Sequence, residues 1–309
     1  MRPKFSSFDF SSPSSSSPTS QGGEPFEING RRIVLPPKEA DEDSTKDVDG
    51  TKGRDSRDTV EASAPLSHTA STAKSVWDCS IVLGKYLETL ANKTPGFWTD
   101  KRVLELGAGQ GIVSLSAAAL GAERVIMTDI DSAVPALQRG VCLNRFQAPQ
   151  VEVTALDWTN RSHALQHIWN DLLSDPSTPS STAATTRPQL DYILASDVIW
   201  VDYLVSALVE TIADLMYISK ERRDSGTHHQ PHHSSQNEQT TMSRAPVLLL
   251  AYQFRSTRSD QLLFDSLDQL GLQRKKIRLD GENFDDPDSV YMDSKFRKPN
   301  IAIWKVWKE

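Results

Sequence analysis

One stretch decides the fold of this chain: Val103-Leu104-Glu105-Leu106-Gly107-Ala108-Gly109-Gln110-Gly111. Its mostly apolar first half predicts a short buried strand, and the closely spaced glycines predict a tight turn. Apolar helix-forming residues follow over 111–120, so the turn opens a helix. The N–H groups at the start of a helix lack partners inside that helix. The stretch therefore predicts a strand–turn–helix unit that can hold a ligand.

Strands and helices alternate on both sides of this unit. The predicted strands are 102–106, 124–128, 151–155, 191–196, 247–252, 274–279 and 300–307. The predicted helices are 74–91, 111–120, 132–143, 202–219 and 259–270. Continuous apolar strands between helices are typical of a parallel sheet covered on both faces. Because the polar segment 280–299 contains no helix, the last two strands are expected to pair antiparallel. We predict a Rossmann-like, seven-stranded, mostly parallel α/β sheet with an antiparallel C-terminal strand pair and helices on both faces.

Composition divides the chain into several segments. Residues 1–24 are Ser/Pro-rich and are predicted to be a disordered tail, and residues 37–72 a disordered linker. Between them, residues 25–36 predict a hairpin turning at Asn29-Gly30. The α/β domain spans 73–309, with low-complexity insertions at 174–188 and 220–245.

The overall composition excludes several kinds of protein. With a net charge of −7, the chain lacks the basic character of most nucleic-acid binders, and the basic clusters at 274–278 and 295–298 are interpreted as solubilising surface. Its apolar runs are shorter than the roughly 18 residues of a membrane span. Cys79 and Cys142 fall in predicted amphipathic helices, where they are expected to be small buried residues. Two cysteines do not make a disulfide framework, which suits a reducing compartment. We expect a cytoplasmic, or alternatively nuclear, monomer without a metal site.

The glycine turn discriminates between two adenosine-containing cofactors. A dinucleotide fingerprint reads G-x-G-x-x-G, whereas this turn reads G-x-G-x-G and places Ile112 where the third glycine would stand. Glu105 lies two residues before the first glycine. These features favour S-adenosylmethionine over NAD, because its amino group and ribose require acceptors and it has no pyrophosphate. A ligand-free structural turn is the other interpretation.

Residues after the next two strands fit an adenosine. Asp129 ends the second strand, where a carboxylate can accept both ribose hydroxyls, although NAD enzymes use the same contact. We assign ribose binding to Asp129 and helix capping to Asp131. The pair Asp157-Trp158 follows the third strand, where the indole can flank adenine or only cover the sheet edge.

The fourth strand ends at Ser196-Asp197, at the edge where the acceptor is expected. Asp197 can hold an acceptor amine, or alternatively act as a loop or capping acid. The seven histidines lie in the linker, in an insertion or beside one. Because the core then lacks a histidine base, a hydrolase triad and histidine-dependent dehydrogenase chemistry are disfavoured. His163 and His167 have helical spacing, but no acidic or Cys partner completes a metal site.

With these residues in hand, the chain resembles the seven-β-strand methyltransferases. More narrowly, it is similar to the protein-lysine methyltransferase group that modifies elongation factors and chaperones. The segments that carry the resemblance are the early hairpin, VWDCSIVLGKYLE, VLELGAGQG, VIMTDID, LDW and SDVIW. Outside the insertions, they cover the chain from about Val76 to Trp307.

The resemblance implies roles for individual residues. It implies that Trp77 contacts the cofactor, that Gly107-Ala108-Gly109 surrounds its methionine part, and that Ser196 lines the site. Gly111 is also an expected cofactor-binding residue. Glu105, Asp129 and Trp158 complete the expected cofactor site. Asp197 begins an Asp-x-x-Tyr motif and is the expected catalytic residue. Trp200 stands where that motif has Tyr, and Tyr203 lies three residues further on.

The predicted activity is transfer of a methyl group from S-adenosylmethionine to a lysine ε-amine of a protein substrate, such as a translation factor or chaperone. Three alternatives remain. A small-molecule or RNA methyltransferase would share the cofactor residues. An NAD-dependent oxidoreductase and a non-catalytic interaction module are the others.

Overall fold

The computed structural model of the chain describes residues 19–20, 24–37, 75–173, 190–224, 245–282 and 286–309. Nearly all of the predicted linker, most of the predicted tail, the insertion at 174–188 and most of the insertion at 220–245 lie outside these residues. Thr19–Ser20 (β1) pairs antiparallel with Glu24–Pro25 (β2), so the end of the segment predicted to be disordered carries a short pairing.

A seven-stranded sheet forms the centre of the molecule. Its strands, in chain order, are β5 (Arg102–Leu106), β6 (Arg124–Asp129), β7 (Val151–Ala155), β8 (Tyr192–Ser196), β9 (Val247–Gln253), β10 (Leu272–Lys276) and β11 (Ile301–Lys308). Their spatial order is β10-β11-β9-β8-β5-β6-β7. The strands β5 to β9 run parallel, and β11 pairs antiparallel with both β9 and β10. The predicted fold class is confirmed.

Six α-helices connect and cover the strands in the described residues. They are α1 (Asp78–Lys93), α2 (Ile112–Ala119), α3 (Val134–Leu143), α4 (Ser162–His167), α5 (Asp202–Asp224) and α6 (Thr257–Gln269). Helix α5 extends to Asp224, so the predicted insertion at 220–245 begins too early. None of the described helices is long and apolar enough to cross a membrane.

The strands are buried on both faces because their side chains alternate between two apolar clusters. Val103 and Val125 point to the face covered by α1 and α2. Leu104 and Ile126 point to the opposite face, where α5 and α6 contribute the buried residues. Since the sheet is covered on both faces, a ligand can reach it only at the ends of the strands.

The predicted hairpin forms and packs into the first cluster. Glu27–Ile28 (β3) pairs with Arg31–Arg32 (β4) around Asn29 and Gly30, whose φ values of 49° and 72° suit a tight two-residue turn. Asn144 fixes the chain beyond it, since its Oδ1 accepts from the N–H of Val34 at 2.9 Å and its Nδ2 donates to the Val34 carbonyl at 2.6 Å. The hairpin is therefore part of the globular unit.

The cysteines differ in environment. Cys79 is buried in α1, as predicted. Cys142 is exposed on α3, so its predicted burial is wrong. It falls on the outer face of a helix that turns only a narrow apolar stripe towards the sheet.

Candidate functional site

The glycine turn joins β5 to α2 at the carboxyl edge of the sheet. Gly107, Gly109 and Gly111 have φ values of 65°, 55° and 77°, a conformation that glycine adopts without strain. The N–H of Ala108 donates to the Thr128 carbonyl at 2.9 Å, which ties the turn to β6. The backbone therefore follows the course that the spacing of the glycines predicts.

Residues from three strands meet at Gly107. A Cβ atom at this position would lie 2.9 Å from Val198 Cγ1 and 3.2 Å from Trp158 Cζ2. Val198 follows β8, and Trp158 follows β7, in a 3-10 turn over Trp158–Asn160. The first contact would force Val198 to move and the second would crowd the indole, and the positive φ of Gly107 further disfavours a side chain here. The ends of β5, β7 and β8 thus form one surface, as expected for an open α/β sheet.

Asp129 closes the turn from the end of β6. Its Oδ2 accepts from the N–H of Gly109 at 2.7 Å and its Oδ1 from the N–H of Ile130 at 2.7 Å. Desolvation raises the pKa of this half-buried carboxyl above its ordinary value, although both hydrogen bonds act in the opposite direction. A carboxylate accepts up to about four hydrogen bonds, so Asp129 retains capacity for two hydroxyls. The acceptor oxygens of Asp129 fit the hydroxyl groups of a ribose.

Only one of the two neighbouring acids, Asp131 and Asp157, caps a turn. Asp131 begins a 3-10 turn over Asp131–Ala133, but the N-caps of that turn and of α3 are Ile130 and Ala133, so its predicted capping role is wrong. Asp157 caps the turn that carries Trp158, because its Oδ1 accepts from the N–H and hydroxyl of Thr159 at 2.8 and 2.7 Å. The indole of Trp158 is half-buried beside the glycine turn.

Glu105 lies beneath the turn and is fully buried. Its Oε2 accepts from the N–H and hydroxyl of Ser114 at 2.9 and 2.5 Å, which anchors the first turn of α2. Its Oε1 has no hydrogen-bond partner among the described residues. Burial raises the pKa of Glu105 to about 8. The carboxyl supports the turn from the core, and its direct contact with a cofactor stays a prediction.

This burial predicts a pH dependence of stability. The pKa of Glu105 is about 8 in the folded protein against an ordinary value of 4.5, so the folded state retains a proton that the unfolded state releases between these values. Stability should therefore fall as pH rises through this window, by at most about 1.4 kcal/mol per pH unit. We expect Glu105→Gln to flatten this slope in urea unfolding at several pH values. Parallel slopes for the two proteins would show that Glu105 is ionised throughout.

Asp197 follows β8 and has an unusual environment for an acid. It adopts a left-handed φ of 56°, is only 8% exposed, and its N–H donates to the Ala251 carbonyl at 2.8 Å. Its Oδ2 accepts from Arg255 Nη2 at 2.5 Å, whereas its buried Oδ1 has no hydrogen-bond partner among the described residues. Ser196, the last residue of β8, is half-buried next to it. Oδ1 is thus a buried carboxylate oxygen without a hydrogen bond in the described residues. The buried Cys79 thiol lies near Asp197, since burial and then this carboxylate raise the pKa of the thiol.

Arg255 is a site residue that our sequence analysis missed. It lies two residues after β9, and its guanidinium lies 5.3 Å from the centre of the Trp77 ring as well as against Asp197. Trp77 immediately precedes α1, so Arg255 joins the start of that helix to the end of β8. The signal was its position after the fifth parallel strand, at the edge where the other site residues were sought.

The structure also shows the position of Trp200, which replaces the tyrosine of the Asp-x-x-Tyr motif. Trp200 is half-buried in the loop after Asp197. Tyr203 lies on the first turn of α5 and is 61% exposed. Trp200 has no hydroxyl, and the exposed position of Tyr203 does not place its hydroxyl where the motif has the tyrosine.

The structure places an acid beside one of the paired histidines. His167 Nδ1 lies 2.7 Å from Asp171 Oδ2, a partner that our sequence analysis did not identify. Across the described ranges, no group of three or more His, Cys, Asp or Glu side chains could hold a metal ion.

Comparison with known proteins gives a consistent result. A family model described as lysine methyltransferase matches residues 63–229. Protein-lysine N-methyltransferase EFM6 of Saccharomyces cerevisiae is 31% identical over 45% of this chain and 54% of its own length. Protein-lysine methyltransferase METTL21E of Mus musculus is 33% identical over 45% of this chain and 50% of its own. Histone-arginine methyltransferase METTL23 of Mus musculus is 35% identical over 46% of this chain and 47% of its own length. The chain therefore spans about half the length of these curated relatives.

Proposed function

Because the chain belongs to the lysine methyltransferase family, we propose that it transfers a methyl group from S-adenosylmethionine to a lysine ε-amine of a protein. The observation that carries this proposal is the meeting of Gly107, Asp129 and Trp158 at one sheet edge, next to the buried carboxylate of Asp197. Translation factors and chaperones are the substrates to test first. We propose in addition that the substrate is a protein and not a nucleic acid.

The residues of this edge suit the parts of the cofactor. Asp129 would accept from the ribose hydroxyls, Trp158 would flank the adenine, and the turn over Gly107-Ala108-Gly109 would admit the methionine part. Trp77 and Ser196 would line the remaining surface. When bound, S-adenosylmethionine supplies an electrophilic methyl group on a sulfonium.

Asp197 would orient the acceptor amine. A free lysine has a pKa near 10.4, so its amine must lose a proton before it can act as a nucleophile. Burial of the site disfavours the charged ammonium, and the unpartnered Oδ1 of Asp197 can accept a hydrogen bond from the neutral amine. Held in this way, the nitrogen lone pair can point at the methyl group, and alignment of two reactants can supply much of the rate enhancement.

An arginine acceptor is a second candidate, because one of the relatives is named a histone-arginine methyltransferase. A guanidinium is bound best by a carboxylate that offers both oxygens. Here Arg255 of the chain itself occupies Oδ2 of Asp197 at 2.5 Å, which leaves a single oxygen for the acceptor. The geometry therefore favours an amine.

Two measurements on one pair of variants test the function. We expect Asp129→Ala to weaken binding of S-adenosylhomocysteine by at least about ten-fold in calorimetry, because it removes charge-assisted hydrogen bonds. Asp131→Ala is the matched control, since it removes the same group two residues further on and should bind within about two-fold of the wild type. Thermal unfolding of both variants checks that the turn persists.

The second measurement identifies the acceptor. The wild-type chain is incubated with cell lysate and cofactor labelled in the methyl group, and the labelled protein is hydrolysed to amino acids. We expect labelled methyllysine from the wild type. We expect less of it from Asp129→Ala, in proportion to the loss of cofactor affinity. Labelled methylarginine would replace the lysine assignment, and label confined to RNA or metabolites would reject a protein substrate.

A further inference from the structure

A basic cavity of about 340 Å³ opens at the same edge of the sheet as the candidate site. Its walls come from the end of β10 with the residues that follow, and from the segment that enters β11. Four of the lining side chains are basic: Lys276, Arg278, Arg297 and Lys298. Asp280 is the single acid among the lining residues, although the whole chain carries a net charge of −7. Positive charge is therefore concentrated here on an acidic protein.

Two of these cations are uncompensated. Arg278 Nη2 lies 3.0 Å from both Asp280 and Glu282, so its charge is balanced. In the part of the chain that the structure describes, neither Lys276 nor Arg297 forms an ion pair. The Nε of Arg297 is also buried without a hydrogen-bond partner there. Arg297 as a whole is half-buried and lines the cavity, so its guanidinium can bind an anion there, although the Nε itself is closed off from solvent.

The cavity and the Asp197 carboxylate lie at the same edge of the sheet. Ile301, in its wall, lies opposite Gln253, the last residue of β9. Two residues after Gln253 comes Arg255, which holds Asp197. On the other side, Lys298 Nζ lies 3.8 Å from a carboxylate oxygen of Asp78, the residue after Trp77. A peptide whose side chain reaches Asp197 would therefore pass close to this cavity.

We propose that this basic cavity docks an acidic segment, rich in Asp or Glu, of the protein that is methylated. The inference rests on the proposed function and names a recognition element of its substrate. Arg297 offers the planar donor pair that binds a carboxylate with two hydrogen bonds, and Lys276 adds a second positive charge. The apolar walls at Ile277 and Ile301 suit the methylene groups of Glu. A chain with a net charge of −7 is poorly suited to hold the phosphate track of a nucleic acid.

Binding of a fluorescent oligo-glutamate peptide to the full chain tests the proposal by anisotropy. The test variant is Lys276→Gln with Arg297→Gln, and the matched control is Lys295→Gln, a neighbouring exposed lysine that does not line the cavity. We expect the double variant to bind at least about ten-fold more weakly than the wild type. The control should stay within about two-fold, because exposed charges outside the cavity contribute little. Lys276→Gln alone, at an exposed position, covers the case in which the double variant does not fold and should weaken binding about three-fold.

Equal binding by the wild type and the variants that retain their fold would overturn the proposal. A single-stranded RNA that binds more tightly than the peptide, and loses affinity in the same variants, would instead make the cavity a nucleic-acid site and would also overturn it. Calorimetry with S-adenosylhomocysteine separates this proposal from the proposed function, because the double variant should bind that ligand normally. A wild type that shows no heat with it would reject the proposed function whatever the peptide does.

Discussion

Asp197→Asn is expected to reduce methyl transfer to protein by about 100-fold or more while leaving the affinity for S-adenosylhomocysteine nearly unchanged. Asparagine is close to aspartate in size and is one of the few residues that tolerates the φ of 56° found here. The substitution removes the charge that pairs with Arg255. Because the one remaining side-chain oxygen would face the Arg255 donor, the amide NH2 takes the place of the oxygen that would orient the amine. Misplacing a reacting group by about 1 Å can cost about 100-fold in rate. That loss corresponds to about 2.7 kcal/mol of barrier, at about 1.4 kcal/mol for each ten-fold change.

The control for this prediction is Asp202→Asn. Asp202 also forms an ion pair, with Arg258 at 3.1 Å, and accepts from the Ser259 hydroxyl at 2.6 Å, but it is more exposed than Asp197. Its loss should change transfer by no more than about two-fold, because exposed ion pairs contribute little. Transfer and cofactor affinity are measured separately for each variant. If Asp197→Asn kept full transfer activity with normal cofactor affinity, the assigned role of Asp197 would be wrong.

Phe26→Ala is expected to lower the free energy of unfolding by about 3–4 kcal/mol. Phe26 is 1% exposed, and its ring lies so close to α1 that a Cβ at Gly84 would be 3.1 Å from its Cζ. Lys85 Nζ covers the ring at 5.3 Å from its centre. Removing the ring leaves a cavity between the hairpin and α1, which the surrounding chain can close only in part.

Urea unfolding measures this effect, with Arg32→Ala as the control on the same hairpin. Arg32 is exposed on β4, so its replacement should change stability by no more than about 0.5 kcal/mol. A loss below about 1 kcal/mol for Phe26→Ala would mean that the hairpin detaches without weakening the domain.

The sequence was most informative where local pattern determines structure. Apolar strands between helices predicted the five parallel strands, and the glycines predicted a turn that the φ values of Gly107 and Gly111 confirm. The same reasoning correctly placed Asp129 and Trp158 at one edge, because the carboxyl ends of parallel strands lie together.

Contacts between distant segments could not be predicted in this way. The pairing of Arg255 with Asp197 requires that β8 and β9 be neighbours, and the strand order is not encoded in any short stretch. The capture of Val34 by Asn144 joins residues 110 positions apart. Glu105 is similar, because the alternation of the strand puts it in the core but does not reveal that Ser114 satisfies its carboxyl there.

The position of β11 has a consequence for synthesis of the chain. This strand is the last of the seven to be made, yet it lies between β9 and β10. Until Ile301–Lys308 has left the ribosome, the strand β9 (Val247–Gln253) has an unpaired edge, and most of its residues are apolar. Such an edge is a template for pairing with another chain. A product terminated before Ile301 should therefore aggregate or be degraded, even though every residue assigned to the cofactor and to the acceptor amine has already been translated.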